Sequence, residues 1–376
     1  MLIDYEILRL IWWLLLGVLL IGFAIMDGFD LGVATLLPFV AKNEEEKQVL
    51  LHTIEPYWEG NQVWLVLGGG AIFAAWPTVY AVSFSSLYLA LCLLLLALGL
   101  RPVSFAFRNK LENSKWRKLW EITHFLSGIL PAILCGVAVG NAVQGLPFKI
   151  DEADMSIYYY GSFWELLNPY ALLIGIMSLA MLLMQGSIYL ALKTTDAINA
   201  RSKIIAKHSI LTLIVLYVLG GVATFYINGY EIISDVVLDG PSNPLYKEVA
   251  SSRGLWMQNF VKYPYFILVP ALVILGSIFA YIFVNKNLFG KAFIASSIAI
   301  FGVVSTAGVC MFPFILPSSY NLKSSLTIWD SSSSALTLQI MLIVALIFVP
   351  IVLVYTSWVF RVLRGKINYN SIKEDY

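Results

Sequence analysis

The chain has 376 residues, of which 59% are hydrophobic and 12% charged, and its formal net charge is +1. This balance excludes a soluble domain of average composition, and it lacks the basic excess expected of a nucleic-acid-binding protein. Apolar runs of membrane-spanning length recur along the chain without strict alternation, so the fold class is an all-α polytopic membrane protein and not a β-barrel.

Residues 10–26 open the first span, Asp27 and Asp30 follow in the phrase MDGFDLG, and residues 31–41 are again uncharged. A helix over 10–37 would be ~42 Å long at 1.5 Å per residue, so it is expected to project beyond the hydrocarbon core and to end at Pro38 and Glu44, Glu45 and Glu46. The run is too long for a signal peptide and lacks a basic leader. Residues 60–100 hold no charged side chain and are divided by Pro77. Residues 79–100 make a full span. Residues 61–76, with Gly68, Gly69 and Gly70, read as a partial or interfacial helix packed closely through its glycines. Were it to cross, there would be nine spans and the N-terminus would change sides.

Later spans are expected near 122–141, 169–190, 206–227, 265–284, 292–312 and 336–360, making about eight. The chain reads as one transmembrane domain, with halves at 1–190 and 191–360 and a tail at 361–376. A faint duplication links GGGAIFAAWPTVY to TAGVCMFPFILPSSY. Basic residues concentrate in the segments around Arg101–Lys118, Lys193–Lys203, Lys286–Lys291 and the tail. The positive-inside rule makes that side cytoplasmic. With eight spans both termini are then cytoplasmic, while Lys42, Lys47, Asp27, Asp30 and Glu59 fall toward the outer face. Within the segment 101–121, the basic residues are read as fixing topology and touching anionic lipid.

The stretch YWEGNQVW, residues 57–64, sets Glu59, Asn61 and Gln62 among Tyr57, Trp58 and Trp64. Its aromatics and amides favour a buried Glu59. Asp27 and Asp30 share a helix face, and two carboxylates so placed repel unless one is protonated or a cation sits nearby. They form either a proton relay or cation site, or a water-facing helix end. Trp58 either packs on a flat cofactor or belongs to an interfacial aromatic belt. The three histidines, His52, His124 and His208, stand at unmatched positions and read as satisfied polar groups; Met177, Met181 and Met184 read as packing. Cys92, Cys135 and Cys310 lie in apolar runs and read as small buried hydrophobes. No CxxC or CxxCH motif supports zinc, a disulfide framework or covalent haem, and no metal ligand set is assigned. In the Ser-rich segment before the last span, Ser331 to Ser334 are expected to supply an N-cap, with Asp330 as a helix-start acid.

Several long phrases occur in order: DYEILRLIWWLLLGVLLIGFAIMDGFDLG, PYWEGNQVWL, GGGAIFAAWPTVYA, LRPVSFAFRNKLENSKWRKLW, GNAVQGLPF, LLNPYALL, SNPLYKEV, MFPFILPSS and SLTIWDSSSSALTL. In these the chain resembles subunit II of the cytochrome bd-type quinol oxidases over nearly its whole length. The resemblance implies a subunit of a bacterial inner-membrane complex that oxidises quinol and reduces dioxygen to water. It implies haem b and haem d in the partner, subunit I, and two four-helix bundles with a peripheral pair in this chain. Some members hold a structural quinone, and a small single-helix accessory subunit is left open. This subunit would stabilise the assembly and complete a proton route toward the partner's haems, with no strictly catalytic residue of its own. The family's tryptophan–acid pair falls on Trp58 and Glu59, where the family carries aspartate; Asp27 and Asp30 match its DGFD positions. The expected proton-route residues are therefore Glu59, Asp27 and Asp30. Trp58, Trp64, Asn61 and Gln62 are expected beside the haem edge or a quinone. The rival reading is a secondary transporter that uses the same three acids.

Overall fold

The structure, a computed structural model, describes residues 3–368. The remainder of the tail, including Lys373, lies outside them. The long helices are α1 (Tyr5–Val40), α3 (Trp58–Ala75), α5 (Tyr88–Arg108), α6 (Ser114–Gln144), α7 (Pro169–Lys193), α8 (Asp196–Thr224), α10 (Leu268–Asn285), α11 (Phe289–Met311) and α12 (Ala335–Val362). Short helices α2 (Glu44–His52), α4 (Pro77–Ser86) and α9 (Gln258–Lys262) link them. Three two-stranded antiparallel hairpins lie between the helices: β1 (Phe148–Ile150) with β2 (Ile157–Tyr159), β3 (Asn228–Ile232) with β4 (Val249–Arg253), and β5 (Phe314–Leu316) with β6 (Leu326–Thr327). All three hairpins follow helices that run in one direction, so they gather at one end of the molecule. Most basic residues gather at the other.

Among the described residues, eight helices are long and apolar enough to cross a membrane; α10, counted with the turn before it, is one, and α3 is not among them. Yet α3 runs back along α1 for its full length. Asn61 meets Asp30, the Trp64 ring fills the space where Gly22 would carry a Cβ, and the Ala75 carbonyl accepts from Ser333 N at 2.8 Å at the hairpin end. Its 18 residues rise ~27 Å, enough to traverse the bilayer core. The partial-helix reading is therefore corrected. Polar residues in its first turn lower its mean hydropathy, but Asn61 is sheltered against Asp30. Of the three glycines, Gly69 and Gly70 face open space; the close approach is made instead by Gly22.

The described ends of the chain, residues 3 and 368, lie at opposite ends of the molecule, whereas eight traverses alone would bring them to the same end. Tyr5 Oη donates to Ser333 O at 2.7 Å at the hairpin end. Leu363 accepts from Tyr57 and Lys193 at the charged end. Lys42 and Lys47 also belong to the charged end, where Lys47 Nζ meets Glu121 Oε2 at 2.9 Å. Asp27, Asp30 and Glu59 lie toward that same end, opposite to the side expected.

At the core α7 is the most enclosed span. It packs on α1 and α6 on one flank and on α8 and α11 on the other. Its approach to α1 is at backbone range: a Cβ on Gly186 would collide with Gly32 and Val33, and one on Gly32 with Leu182 O. Small residues serve this purpose where lipid supplies no hydrophobic drive between helices. Met177, Met181 and Met184 lie in this core, as expected. Of the cysteines, Cys310 is buried, Cys135 half-buried and Cys92 exposed, the last differing from expectation.

The hairpin end is tied down by Arg9, whose side chain is fully buried in the first turns of α1. Its guanidinium donates to Ser332 Oγ at 2.8 Å, Leu238 O at 2.5 Å, and Gly240 O and Ser242 Oγ at 3.0 Å, and it lies over the Tyr5 ring. Ser334 caps α12 through Thr337 N, as the Ser-rich phrase suggested. Asp330 does not act as a helix-start acid: it is buried, paired with Lys247 at 2.8 Å, and accepts from Thr327 N at 3.0 Å.

Candidate functional site

The 36-residue α1 carries its only two mid-helix acids, Asp27 and Asp30, one turn apart on the face turned into the protein. Both are wholly buried, as are Arg101 of α5 and, all but 1%, Asn61 of α3. Arg101 reaches Asp27 as a fork, Nη1 to Oδ1 at 2.5 Å and Nη2 to Oδ2 at 3.4 Å. Asn61 Nδ2 donates to Asp30 Oδ2 at 2.8 Å. Among the described residues, Asp30 Oδ1 and Arg101 Nε have no hydrogen-bond partner.

This is the cation that the acid pair required. Arg101 was expected in a basic segment outside the membrane, but α5 continues to Arg108 and carries it into the interior. A charge at the end of an apolar run reads equally as a loop residue or as the counter-ion of an intramembrane acid. The unpaired acids one helix away were the signal that favours the second. The segment 109–121 is likewise mostly helix, because α6 begins at Ser114.

Around this centre Ser104 donates to Arg101 O at 2.6 Å and meets His124 Nδ1 at 2.9 Å. The Phe105 ring stands edge-on to His124 and lies nearly parallel to Trp58. Trp58 is half-buried, while Trp64 closes on Gly22, so both form wall. Gln62 is half-buried and does not join the acids. Glu59 differs from expectation: it is exposed in the first turn of α3, and among the described residues it makes no hydrogen bond or ion pair. The alternation of α3 turns Asn61 inward and leaves Glu59, Val63, Val66 and Leu67 on the outside.

The three histidines lie on α2, α6 and α8: His52 is 3.7 Å from Glu55, His124 is held by Ser104, and His208 contacts Ile204 O in its own helix. No cluster of three or more His, Cys, Asp or Glu that could hold a metal occurs among the described residues.

At the charged end, an ion-pair network joins α2 to α5, α6 and α8. Arg108 bonds Glu44 at 2.5 Å and Glu121 at 2.7 Å, and Arg201 bonds Glu46 at 2.5 Å. Chemically, the buried centre has one carboxylate whose charge is matched and a second with an open oxygen. Such a pair can take up and release a proton out of contact with bulk water.

A family described as cytochrome bd terminal oxidase subunit II matches residues 8–363. A probable cytochrome oxidase subunit 2 of Haemophilus influenzae is 46% identical over 373 residues, 99% of this chain and 98% of that one. The cytochrome bd-I ubiquinol oxidase subunit 2 of Escherichia coli strain K12 is 43% identical over 374 residues, with the same coverage. Among solved structures, the bd oxidase from Geobacillus thermodenitrificans superposes with a TM-score of 0.72 at 16% identity, covering 94% of this chain and 98% of that chain.

Proposed function

This chain belongs to the cytochrome bd terminal oxidase subunit II family, and from that premise we propose that it carries a proton route toward a haem-bearing subunit I of the same complex. It is a membrane-spanning subunit of a quinol:oxygen oxidoreductase, a reading that displaces the transporter. We place it in the bacterial inner membrane, with the charged end cytoplasmic because the basic residues gather there. The N-terminus then lies on the outer side and the C-terminus inside. Haem b and haem d belong to subunit I in this reading, as the resemblance to the family implies.

The observation that carries the route is Asp30: it is fully buried, with one oxygen held by Asn61 and the other open. Asp27 and Arg101 form a fixed charge pair beside it. That pair orients the site and cancels within itself, so the site's charge changes by one only as Asp30 gains or loses its proton. Glu59, on the outward face of α3, is the carboxylate that would hand protons across the seam to subunit I. Trp58 and Trp64 form the dry wall between the two, with Asn61 orienting Asp30. Gln62 and Trp58 are the residues we would place nearest a bound quinone.

The assembled complex carrying Asp30→Asn or Glu59→Ala tests this. Loss of a proton-transfer group predicts oxygen consumption lower by about 100-fold, with haem content unchanged. Near-normal turnover with all haems bound would defeat the relay. Loss of haem would assign these acids to assembly instead.

A further inference from the structure

Asp30 stands deep in the protein, and a relay through it needs an inlet from the charged end. Two flanks lead there. On the α5 and α6 flank, a mobile proton would pass the guanidinium groups of Arg101 and Arg108, both buried. Two guanidiniums oppose that path by like charge, against a single ammonium, Lys193, on the other flank.

The other flank carries a different set of groups. Tyr57 precedes α3, and Asn61 N donates to Tyr57 O at 3.0 Å, so Tyr57 lies one turn from the amide that holds Asp30. Its ring is 4% exposed and stacks on Phe360 at 4.6 Å. Phe29, next to Asp30 in α1, stacks on Tyr189 at 4.1 Å, and Tyr189 Oη donates to Thr53 O at 2.8 Å. These rings, with Phe29 also edge-on to Phe360, form an aromatic sleeve between the acid pair and the charged end. At its mouth, Lys193 Nζ donates to Tyr57 Oη at 3.1 Å and to Leu363 O at 2.7 Å. The Tyr57 hydroxyl in turn donates to Leu363 O at 2.9 Å. Among the described residues Lys193 has no carboxylate partner, although it is 6% exposed. A buried ammonium without a counter-ion is costly, and among the described residues its acceptors are a phenol and a carbonyl.

We propose that Tyr57 is the inlet residue of the proton route to Asp30, and that Lys193 is the positioning residue that holds its hydroxyl at the mouth of the sleeve. This inference rests on the relay reading of Asp30. The step is a proton exchange without redox change. The Tyr57 oxygen accepts a proton from a hydronium ion at the charged end, which returns to water, as its own hydroxyl proton passes inward to Asp30. No bond other than O–H forms or breaks, and Lys193 stays an ammonium throughout. Burial, and after it the charge of Asp30, push the Tyr57 phenol up to about 12. The resting hydroxyl is therefore protonated, able to accept on one side and donate on the other. In the resting geometry its proton is engaged with Leu363 O, so transfer requires the hydroxyl to turn from that carbonyl. The segment that bears Leu363 is pinned by Ile367 N, which donates to Lys193 O at 2.7 Å.

The test uses the assembled oxidase in liposomes, reading oxygen consumption, proton uptake from the charged side, solvent deuterium isotope effect and haem content. Tyr57→Phe keeps the ring and removes only the exchangeable proton. It is expected to slow proton uptake about 100-fold, to enlarge the isotope effect and to leave the haem spectrum intact. Tyr57→His, which restores a group that both accepts and donates, is expected to bring the rate back to within about threefold. Lys193→Met is expected to slow uptake, and Lys193→Arg to restore it, because position and charge are what Lys193 supplies. If Tyr57→Phe runs normally while Asp30→Asn is slow, the inlet is elsewhere and the relay stands. If both run normally, both readings fail. If Tyr57→Phe loses haem, Tyr57→His decides: an intact, fast histidine variant supports the inlet, whereas an intact but slow variant, or one that also loses haem, overturns it.

Discussion

The residue with the most at stake is Arg101. A buried ion pair is weak support for stability when intact, but removing one partner leaves a charge stranded in a low-dielectric interior. Arg101→Leu is therefore expected to destabilise the subunit by about 3–5 kcal/mol, read as a lower midpoint of thermal inactivation. The double change Asp27→Leu with Arg101→Leu should recover most of that loss, because no charge is left unmatched. A double variant no more stable than the single one would show that the pair does more than neutralise itself. The acids themselves were legible in the sequence, since charges inside apolar runs are conspicuous and need a partner. Their partner was not legible, because Arg101 lies at the end of a run where a loop residue and a buried counter-ion look alike. Glu59 was misjudged for a related reason. Its neighbours are aromatic and polar, but burial on a helix follows the 3.6-residue period and not the composition of the stretch.

At the scale of elements, α2 is the piece whose attachment depends on charge. Asn43 caps it by accepting from Glu46 N at 2.8 Å, and Glu46 reaches back to Lys42 N at 2.6 Å and out to Arg201 at 2.5 Å. Burial pushes the Glu46 carboxyl upward, but the Lys42 N–H, the Arg201 contact and the Asn43 N–H outweigh it and hold the group below its ordinary value. A carboxyl lowered in the folded state contributes stability that is present above its ordinary value near 4.5 and is lost as pH falls through the folded one. Backbone hydrogen exchange in α2 should accelerate over that acid range, and Glu46→Gln should remove the acid dependence. Equal pH dependence in the two proteins would contradict this. The spans α1, α5 to α8 and α10 to α12 were readable from apolar length alone. α3 was not, because sequence hydropathy scores each residue as if it faced lipid, whereas Asn61 faces Asp30.

For the whole molecule, that one helix decides the topology. With α3 crossing, a reporter fused ahead of residue 3 and one fused after residue 368 are expected to be accessible from opposite sides of the membrane. Access from the same side would mean eight crossings. The Arg9 junction at the hairpin end has a consequence for synthesis. Its partners Leu238 and Ser332 lie 229 and 323 residues further along the chain. At ~5–20 residues per second, roughly 15–65 s pass between the two ends of the longer contact. Until Leu238, Gly240 and Ser242 are made, a guanidinium in the first helix has no native acceptor, and until Ser332 is made its set is incomplete, so nascent chains are marked as incomplete by one cation whose partners are not all present. Fragments that stop before Ser332 keep that mark, and they should be cleared by membrane proteases faster than the finished subunit.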